Sequence, residues 1–161
     1  MDPIEHAKEE LVQSAARLLS LVDETPDDRL FWKPSPTARS IGEIVAHCAH
    51  AMNNIAPQMM GTPYAIATSS EANRTFLEHD RQFSDRANVV RYFEEARNGF
   101  IGHLDRFSLD EVDRLVTMPF GMGQAPVRLF MEAASNHTKG HIAQIEYIQT
   151  LYGDHDWHYG F

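Results

Sequence analysis

Hydrophobic residues recur at spacings of three and four along most of the chain, which is the period of amphipathic helices. Four long stripes of this kind are present, separated by polar or proline-containing segments. The first begins after Asp2, a good N-cap, with Pro3 suited to the first helical position. Its periodicity stops at Thr25, which precedes a proline. The pattern therefore predicts a first helix of about six turns.

The second stripe begins at Ser40, whose spacing to Glu43 is that of a capping box. Either Pro57 or the Gly-Thr-Pro sequence at residues 61–63 ends this helix. The connector before it, residues 27–39, contains two prolines close to a tryptophan. Such a composition predicts an extended segment that packs on the core.

The third and fourth stripes complete the set of long helices. The third begins at Ser84 or Asp85 and extends to Phe107. The last begins at Pro126 and runs to about Tyr152, where a glycine follows. We therefore expect two further helices of roughly twenty residues or more.

The segments between these helices are short. We predict a loop over 62–73, a short helix over 71–82, a second short helix over 108–116 that opens with a capping box, and a loop over 118–125. The two-residue alternation of a β-strand is not found. The chain is therefore predicted to be an all-α, four-helix bundle forming a single domain over residues 1–161. An irregular all-α domain is the alternative.

Composition narrows the class of protein further. Lys and Arg number 14 against 23 Asp and Glu in 161 residues, which gives a net charge of −9. This balance lacks the basic footprint of a nucleic-acid binder and disfavours an anionic membrane. The charged N-terminus is not typical of a signal peptide, and no apolar run approaches the roughly 18 residues of a membrane span. With Cys48 as the single cysteine, we expect a cytoplasmic protein.

Nine histidines are the unusual feature of the composition. His137 and His141 lie four residues apart in the middle of the apolar stripe of the last helix. Their rings stack along one side of the helix, the geometry in which two imidazoles bind one metal ion. The intervening residues 138–140 lack the glutamate of a zinc protease, which excludes that class. The alternative is a pair of hydrogen-bonded core histidines.

A metal site of this kind needs at least one more protein ligand. His47 lies roughly 110° from the centre of the apolar stripe of the second helix, and His50 lies roughly 170° from it. A flanking side chain reaches a neighbouring helix, whereas an opposite one does not. We therefore predict His47 as the third ligand and His50 as a solvent-facing residue. His103, in the third stripe, is a second candidate, with a lone core histidine as its alternative.

Other residues with reactive or polar groups are expected to have structural roles. Cys48 lies in the apolar stripe, where a buried inert thiol is the expectation. Glu146 is expected to face outward, and Gln144 either orients a ligand ring or makes a hydrogen bond between helices. Arg128 either borders the pocket or closes the bundle. Four further histidines are predicted to lie at the surface: His6, His79, His155 and His158.

Three stretches of the sequence together resemble the DinB-like superfamily. The first is the Trp-x-Pro connector at residues 31–36 (FWKPSP). The second is the Ser-Ile-x-x-hydrophobic-hydrophobic-x-His helix at residues 40–47 (SIGEIVAH). The third is the His-x-x-x-His-x-x-Gln-Ile signature within residues 136–148. Their order and spacing agree with the family over nearly the whole chain.

The resemblance implies an up-down-down-up arrangement of the bundle. It also implies a divalent metal ion bound by three histidines, which correspond here to His47, His137 and His141. Characterised relatives include S-transferases and isomerases that use bacillithiol, mycothiol or glutathione, and the metal-binding domain of ergothioneine synthases. Homodimers are common among them, so a homodimer is a further expectation.

Three neutral imidazoles leave a divalent ion with its full charge and an open position, where water becomes acidic and a thiol is held as thiolate. Such a site accepts Zn, Ni, Fe or Mn without selecting among them. We therefore expect a metal-dependent enzyme that activates a low-molecular-weight thiol or water for transfer to a small electrophilic substrate. The alternatives are a non-catalytic, stress-related metal-binding protein and an all-α structural protein with core histidines.

Overall fold

The computed structural model describes residues 2–158 and places long helices where the four stripes predict them. Met1 and residues 159–161 belong to the predicted domain but lie outside the described residues. The elements are α1 (Pro3–Glu24), α2 (Asp27–Leu30), α3 (Ile41–Met59), α4 (Ser69–Asp80), α5 (Arg86–Leu104), β1 (Leu115–Thr117), β2 (Gln124–Pro126) and α6 (Val127–Leu151).

The predicted caps fix the starts of the first two long helices. The Asp2 carboxylate accepts a hydrogen bond from the Ile4 N–H at 2.8 Å. At the start of α3, the Ser40 hydroxyl accepts from the Glu43 N–H at 3.2 Å, and the Glu43 carboxylate accepts from the Ser40 N–H at 2.9 Å. This capping box is therefore confirmed. At the other end, α3 continues through Pro57 and ends two residues later.

Contacts between α1, α5 and α6 define the directions of these helices. Glu10 pairs with Lys139 and Arg17 pairs with Glu146, so the partners advance together and α1 runs parallel to α6. In contrast, α5 runs antiparallel to α1. Its last turn lies beside the first turns of α1, and Arg86 at its start donates to a carbonyl near the C-terminal end of α1 at 2.6 Å.

The direction of α3 follows from its contacts with the last helix. Arg114 bridges the two helices, because its guanidinium donates to the Met59 carbonyl and its own carbonyl accepts from the Val127 N–H. The end of α3 therefore lies beside the start of α6, and the two helices are antiparallel. The four long helices thus run up, down, down and up, as the resemblance implied.

The apolar stripes of the four long helices meet in one core cluster. Its fully buried large side chains include Leu11, Leu18, Ile41, Met52, Phe93, Phe100, Met131 and Ile145. Within the bundle, α3 packs against α4, α5 and α6, so most of its circumference is covered by protein. Within residues 2–158, no helix has both the length and the apolar character needed to cross a membrane.

A small hairpin between α5 and α6 corrects the sequence prediction. The helix expected over 108–116 is only a 3₁₀ turn at Leu109–Glu111, and β1 pairs antiparallel with β2. Each strand has three residues, of which only the central one, Val116 or Ala125, is buried. Three residues are too few to display the alternation that marks a strand in a sequence. The expectation of no strand was wrong for this reason.

The connector before α3 is packed against the core, as predicted. Its first residues form the single turn of α2, which is too short to carry a helical period. Phe31 and Trp32 both pack against the core cluster. The Trp32 ring meets Tyr152 edge-on, with the ring centroids 6.1 Å apart. The connector therefore holds a fixed position beside α3 and α6.

The short helix predicted over 71–82 is confirmed as α4. The Thr68 hydroxyl caps it by accepting a hydrogen bond from the Glu71 N–H at 3.2 Å. The loop expected over 62–73 is correspondingly shorter. This helix packs across α3 and fully buries Asp80, its last residue. It thereby covers a side of α3 that the periodicity of the long helices assigned to solvent.

Candidate metal centre

The structure brings together the three histidines predicted as ligands. His137 and His141 occupy successive turns of α6, with ring centroids 4.5 Å apart. His47 faces them from α3, and its ring centroid lies 5.0 Å from that of His137 and 4.9 Å from that of His141. One donor nitrogen of each ring lies within 4.8 Å of the other two. This separation is small enough for one ion to reach all three.

The surroundings of His137 and His141 keep these two imidazoles neutral. Burial, followed by the neighbouring His141 and His47, lowers the pKa of His137 to about 3. Burial is also the main cause that lowers the pKa of His141 to about 4. Neutral imidazole is the form that binds metal ions. The His137 and His141 rings are therefore in their ligating form throughout the physiological pH range.

Gln144 fixes the orientation of one of the rings. Its Oε1 lies 2.7 Å from His141 Nδ1. An amide oxygen only accepts hydrogen bonds, so Nδ1 carries the proton and Nε2 keeps its lone pair. Of the two roles that the sequence left open for Gln144, this hydrogen bond agrees with orienting the ring of a predicted ligand, since it joins two residues of α6 rather than two helices. Such hydrogen bonds commonly set the tautomer of metal-binding histidines.

A buried carboxylate lies behind His47. Asp80 at the end of α4 has no exposed side-chain surface, and its Oδ2 accepts a hydrogen bond from Arg39 Nε at 2.9 Å. The same oxygen lies 3.3 Å from His47 Nδ1. Sequence reasoning missed both Asp80 and Arg39. The sequence did contain a signal for Asp80. An acidic residue at the C-terminus of a helix is unfavourable in the helix dipole, so a basic partner such as Arg39 is expected.

Two histidines do not lie where the sequence placed them. His50 was predicted to face solvent, but its side chain is only 18% exposed, and burial together with His79 lowers its pKa to about 4. His79 was predicted to lie at the surface, but its ring stands against that of His50 with centroids 4.0 Å apart. The reason is α4, which covers this face of α3. With Asp80, these residues form a second group of closely spaced donor atoms.

Buried polar atoms without partners concentrate in this region. Nine buried side-chain nitrogen or oxygen atoms of the described residues have no hydrogen-bond partner there, and six belong to the two histidine groups and their arginine. Those six are Arg39 Nη2, His47 Nδ1, His50 Nδ1, His79 Nδ1, Asp80 Oδ1 and His137 Nε2. Native interiors contain few such atoms, so their clustering makes this region a candidate binding site.

The other histidines lie away from both groups. His103 belongs to neither, which leaves the lone core histidine as the interpretation of this residue. His155 is exposed as predicted, and His6 is half-buried. His158 was predicted at the surface, but its side chain is only 13% exposed, and its Nε2 donates a hydrogen bond to the Asp154 carboxylate at 2.8 Å. The terminal segment folds back onto α1, which periodicity alone does not reveal.

Three further predictions on single residues can be compared with the structure. Cys48 is fully buried, and burial raises the pKa of its thiol, as expected of an inert core cysteine. Glu146 is exposed and pairs with Arg17 on α1. Arg128 pairs with Asp113 beside the hairpin, so it closes the end of the bundle. None of these three groups belongs to the histidine site among the described residues.

An apolar cavity of about 510 Å³ lies between the connector and α6. Arg39 and Gln144 both line it, and they are the residues that hydrogen-bond to Asp80 and His141. Its remaining wall includes Pro34, Thr37, Ala38, Ile44, Ala143, Tyr147, Ile148 and Leu151. The cavity therefore adjoins Gln144, which contacts the His141 ring directly.

Comparison with known proteins places this arrangement in a family. The sequence model of the DinB superfamily matches residues 10–145, and the chain therefore belongs to this superfamily. A comparison with curated proteins gives no match.

Solved structures share the fold at low sequence identity. YfiT from Bacillus subtilis, described as "a probable metal-dependent hydrolase with an unusual four-helix bundle topology", aligns with a TM-score of 0.72 and 17% identity over 93% of this chain and 87% of that one. A DinB-like protein from Bacillus cereus ATCC 10987 aligns with a TM-score of 0.72 and 15% identity over 95% of each chain. The colibactin self-resistance protein ClbS, solved with double-stranded DNA, aligns with a TM-score of 0.72 and 12% identity over 91% of this chain and 95% of that one.

Proposed function

We propose that this chain is a divalent-metal-dependent enzyme in which His47, His137 and His141 bind the ion and a low-molecular-weight thiol or water attacks a small electrophilic substrate. The observation that carries the proposal is the convergence of three imidazole nitrogens within 4.8 Å of one another. The description of YfiT as a probable metal-dependent hydrolase supports the metal-dependent part.

The residues fit such an ion. His137 Nε2 is buried and has no hydrogen-bond partner among the described residues, so it is free to bind a cation. His141 presents the nitrogen that Gln144 leaves unprotonated. Zinc, nickel, iron and manganese all accept imidazole ligands, and the set of three histidines does not choose among them.

When bound, a divalent ion with three neutral ligands keeps its double positive charge and lowers the pKa of a water or thiol that it binds, so that a nucleophile forms near neutral pH. The chain itself supplies position and exclusion of water. Gln144 holds the His141 ring, and Asp80 lies behind His47 and accepts a hydrogen bond from Arg39. The apolar cavity beside Gln144 accepts an electrophile with little polar surface.

The family resemblance, rather than charge, favours a thiol over water as the nucleophile. No protein carboxylate belongs to the three-histidine group among the described residues, so a thiolate would lower the net positive charge of the site. Bacillithiol, mycothiol and glutathione are the thiols that the resemblance suggests. Hydrolysis is the second candidate reaction of the same site, and the description of YfiT as a probable metal-dependent hydrolase favours it.

A non-catalytic metal-binding protein is the alternative of a different class. The observation in its favour is burial, because the His47 side chain is only 12% exposed and a closed site restricts exchange with substrate. Turnover assays decide between the two, since a storage or stress protein binds the ion without consuming a substrate.

Partners and location follow from the same proposal. We infer a small-molecule substrate, a cytoplasmic location and a homodimer, each of which stays a prediction. ClbS was solved with double-stranded DNA. The net charge of this chain is −9, which opposes its binding to the phosphate backbone of DNA. A mobility-shift experiment measures DNA binding, and size-exclusion chromatography measures the oligomeric state.

Metal content tests the ligand assignment. The untagged protein is stripped with chelator, loaded with zinc, dialysed and analysed for zinc per chain. His141→Ala and His137→Ala should each lose one equivalent, because two imidazoles hold an ion far more weakly than three. His155→Ala is the matched control, since that histidine is exposed and outside both groups. Equal zinc in His141→Ala and the parent would refute the assignment.

Activity tests the reaction. The zinc, nickel and manganese forms are offered each of the three thiols with monochlorobimane, and separately an activated ester without thiol. Faster loss of thiol with the parent than with His47→Ala supports transfer, and faster ester cleavage without thiol supports hydrolysis. If neither substrate is consumed faster than with His47→Ala, the enzyme proposal fails and the metal-binding alternative stands.

A further inference from the structure

A second group of metal-binding side chains lies next to the first, on the outer side of α3. The rings of His50 on α3 and His79 on α4 face each other, and the Asp80 carboxylate lies near both. One donor atom from each of the three lies within 4.8 Å of the other two. The group shares no residue with the three histidines on α3 and α6.

We propose that His50, His79 and Asp80 form a second binding site for a divalent transition-metal ion. Two imidazole nitrogens and one carboxylate oxygen are the donor set of many catalytic zinc and non-haem iron(II) sites. This set differs from that of the first group, because it includes a negative charge. The inference depends on its own residues and does not require that the proposed enzyme activity be correct.

The distances favour a shared ion over direct hydrogen bonds. Asp80 Oδ1 lies 3.6 Å from His79 Nδ1 and 4.0 Å from His50 Nδ1. Hydrogen bonds between such atoms measure about 2.7–3.2 Å. Ligands at about 2.1 Å from a tetrahedral ion are instead separated from each other by roughly 3.4 Å. Small side-chain rotations therefore bring the three donors onto one ion.

Burial without partners gives independent support. Asp80 has no exposed side-chain surface, and its Oδ1 has no hydrogen-bond partner within residues 2–158. The Nδ1 atoms of His50 and His79 are buried and unpartnered in the same part of the chain. Arg39 binds the other oxygen of Asp80, so Oδ1 remains available. A cation between these atoms would satisfy all three at once.

Aromatic rings surround this second group of donor atoms. Phe76 packs on the His50 ring at a centroid distance of 4.4 Å, and Tyr92 packs near His79 at 5.4 Å. These rings lower the local dielectric constant, which strengthens the attraction between Asp80 and a cation. The side chains of His50 and His79 are 18% and 30% exposed, so both rings reach the surface although their Nδ1 atoms are buried.

Zinc stoichiometry tests the second site. The untagged protein is stripped with chelator, given excess zinc sulfate and dialysed against metal-free buffer, and zinc per chain is measured. The parent should retain two equivalents, and His79→Ala should retain one. His50→Gln should also retain one, which provides a second variant of different size. His155→Ala should retain two as the control, and circular dichroism checks that the helices persist.

Combining variants separates the two sites. His137→Ala should retain one equivalent, and the His79→Ala, His137→Ala double variant should retain none. If the parent retains a single equivalent that His79→Ala also keeps, or if His79→Ala and His50→Gln both keep two, the second site does not exist. If His137→Ala keeps two equivalents while His79→Ala loses one, the second site stands and the ligand set of the proposed enzyme is wrong.

Discussion

The contact between Phe31 and Gly42 gives a prediction whose sign is fixed by geometry. Gly42 lies in the first turn of α3, and the Phe31 ring covers it. A Cβ atom built on Gly42 would lie 2.8 Å from both Cδ1 and Cζ of that ring, and closer still to Cε1. Carbon atoms pack at about 3.5–4.0 Å, so Gly42→Ala forces the ring to move.

The size of the effect is a difference between two terms. Inserting a methyl group into packed surroundings costs about 1–3 kcal/mol. Replacing glycine by alanine in a helix returns at most about 1 kcal/mol. When the full propensity gain is subtracted, the free energy of unfolding of Gly42→Ala should therefore fall by up to about 2 kcal/mol, which lowers the Tm of a chain of this length by up to roughly 8 °C.

Gly99 offers a matched control in the same type of element. It lies in α5, is exposed, and a Cβ atom there would meet no atom within 4 Å among the described residues. Gly99→Ala should raise the stability by about 0.5–1 kcal/mol, because only the helix-propensity term remains. Thermal unfolding followed by circular dichroism at 222 nm measures both variants under one set of conditions.

A double variant shows whether the ring is the cause. In the background of Phe31→Ala the obstacle is absent, so Gly42→Ala should no longer destabilise the protein. The coupling between the two substitutions measures their contact directly. If Gly42→Ala raises Tm as Gly99→Ala does, or lowers it equally with and without Phe31, the argument from close packing is wrong.

Two further predictions concern the histidines. Gln144→Leu should weaken zinc binding by about 10–100-fold in a competition titration, because the His141 ring loses the group that orients it, whereas Gln13→Leu on the exposed side of α1 should leave affinity unchanged. The metal-free protein should lose stability as pH falls from 6.5 toward 4, since the pKa values of His137 and His141 are lower in the folded chain and the unfolded chain then binds more protons. The slope is at most about 1.4 kcal/mol per pH unit for each histidine, and Tm measured from pH 7.5 to 5 should fall less steeply in His137→Ala.

The sequence predicted the long helices and the three-histidine group because both depend on the helical period. His137 and His141 lie one turn apart on one stripe, and His47 lies on the flank that faces α6. The directions of the helices came from the family resemblance, and the ion pairs between helices agree with them. Periodicity fixes which side of a helix is apolar, but it does not reveal which neighbour covers a polar side.

That limit explains the errors at His50 and His79. The side of α3 that carries His50 is polar in sequence, so the stripe of α3 assigned it to water. In the structure α4 lies across this side and brings His79 and Asp80 with it. A short helix of low apolar content shows only a weak stripe, so its packing face could not be derived. The three-residue strands of the hairpin escaped detection for the same reason of length.

The buried polar atoms without partners that α4 helps to enclose affect the stability of the bundle. A fully buried carboxylate destabilises a protein unless it is paired, and Arg39 pairs with only one oxygen of Asp80. Neighbouring imidazoles such as that of His137 lose further hydrogen bonds on folding. The unpartnered buried atoms that weaken the metal-free protein are the ones that a cation would satisfy. If the cation binds only the folded chain, the free energy of unfolding rises with the logarithm of the cation concentration. The same side chains therefore couple the stability of the bundle to the ions that we propose it binds.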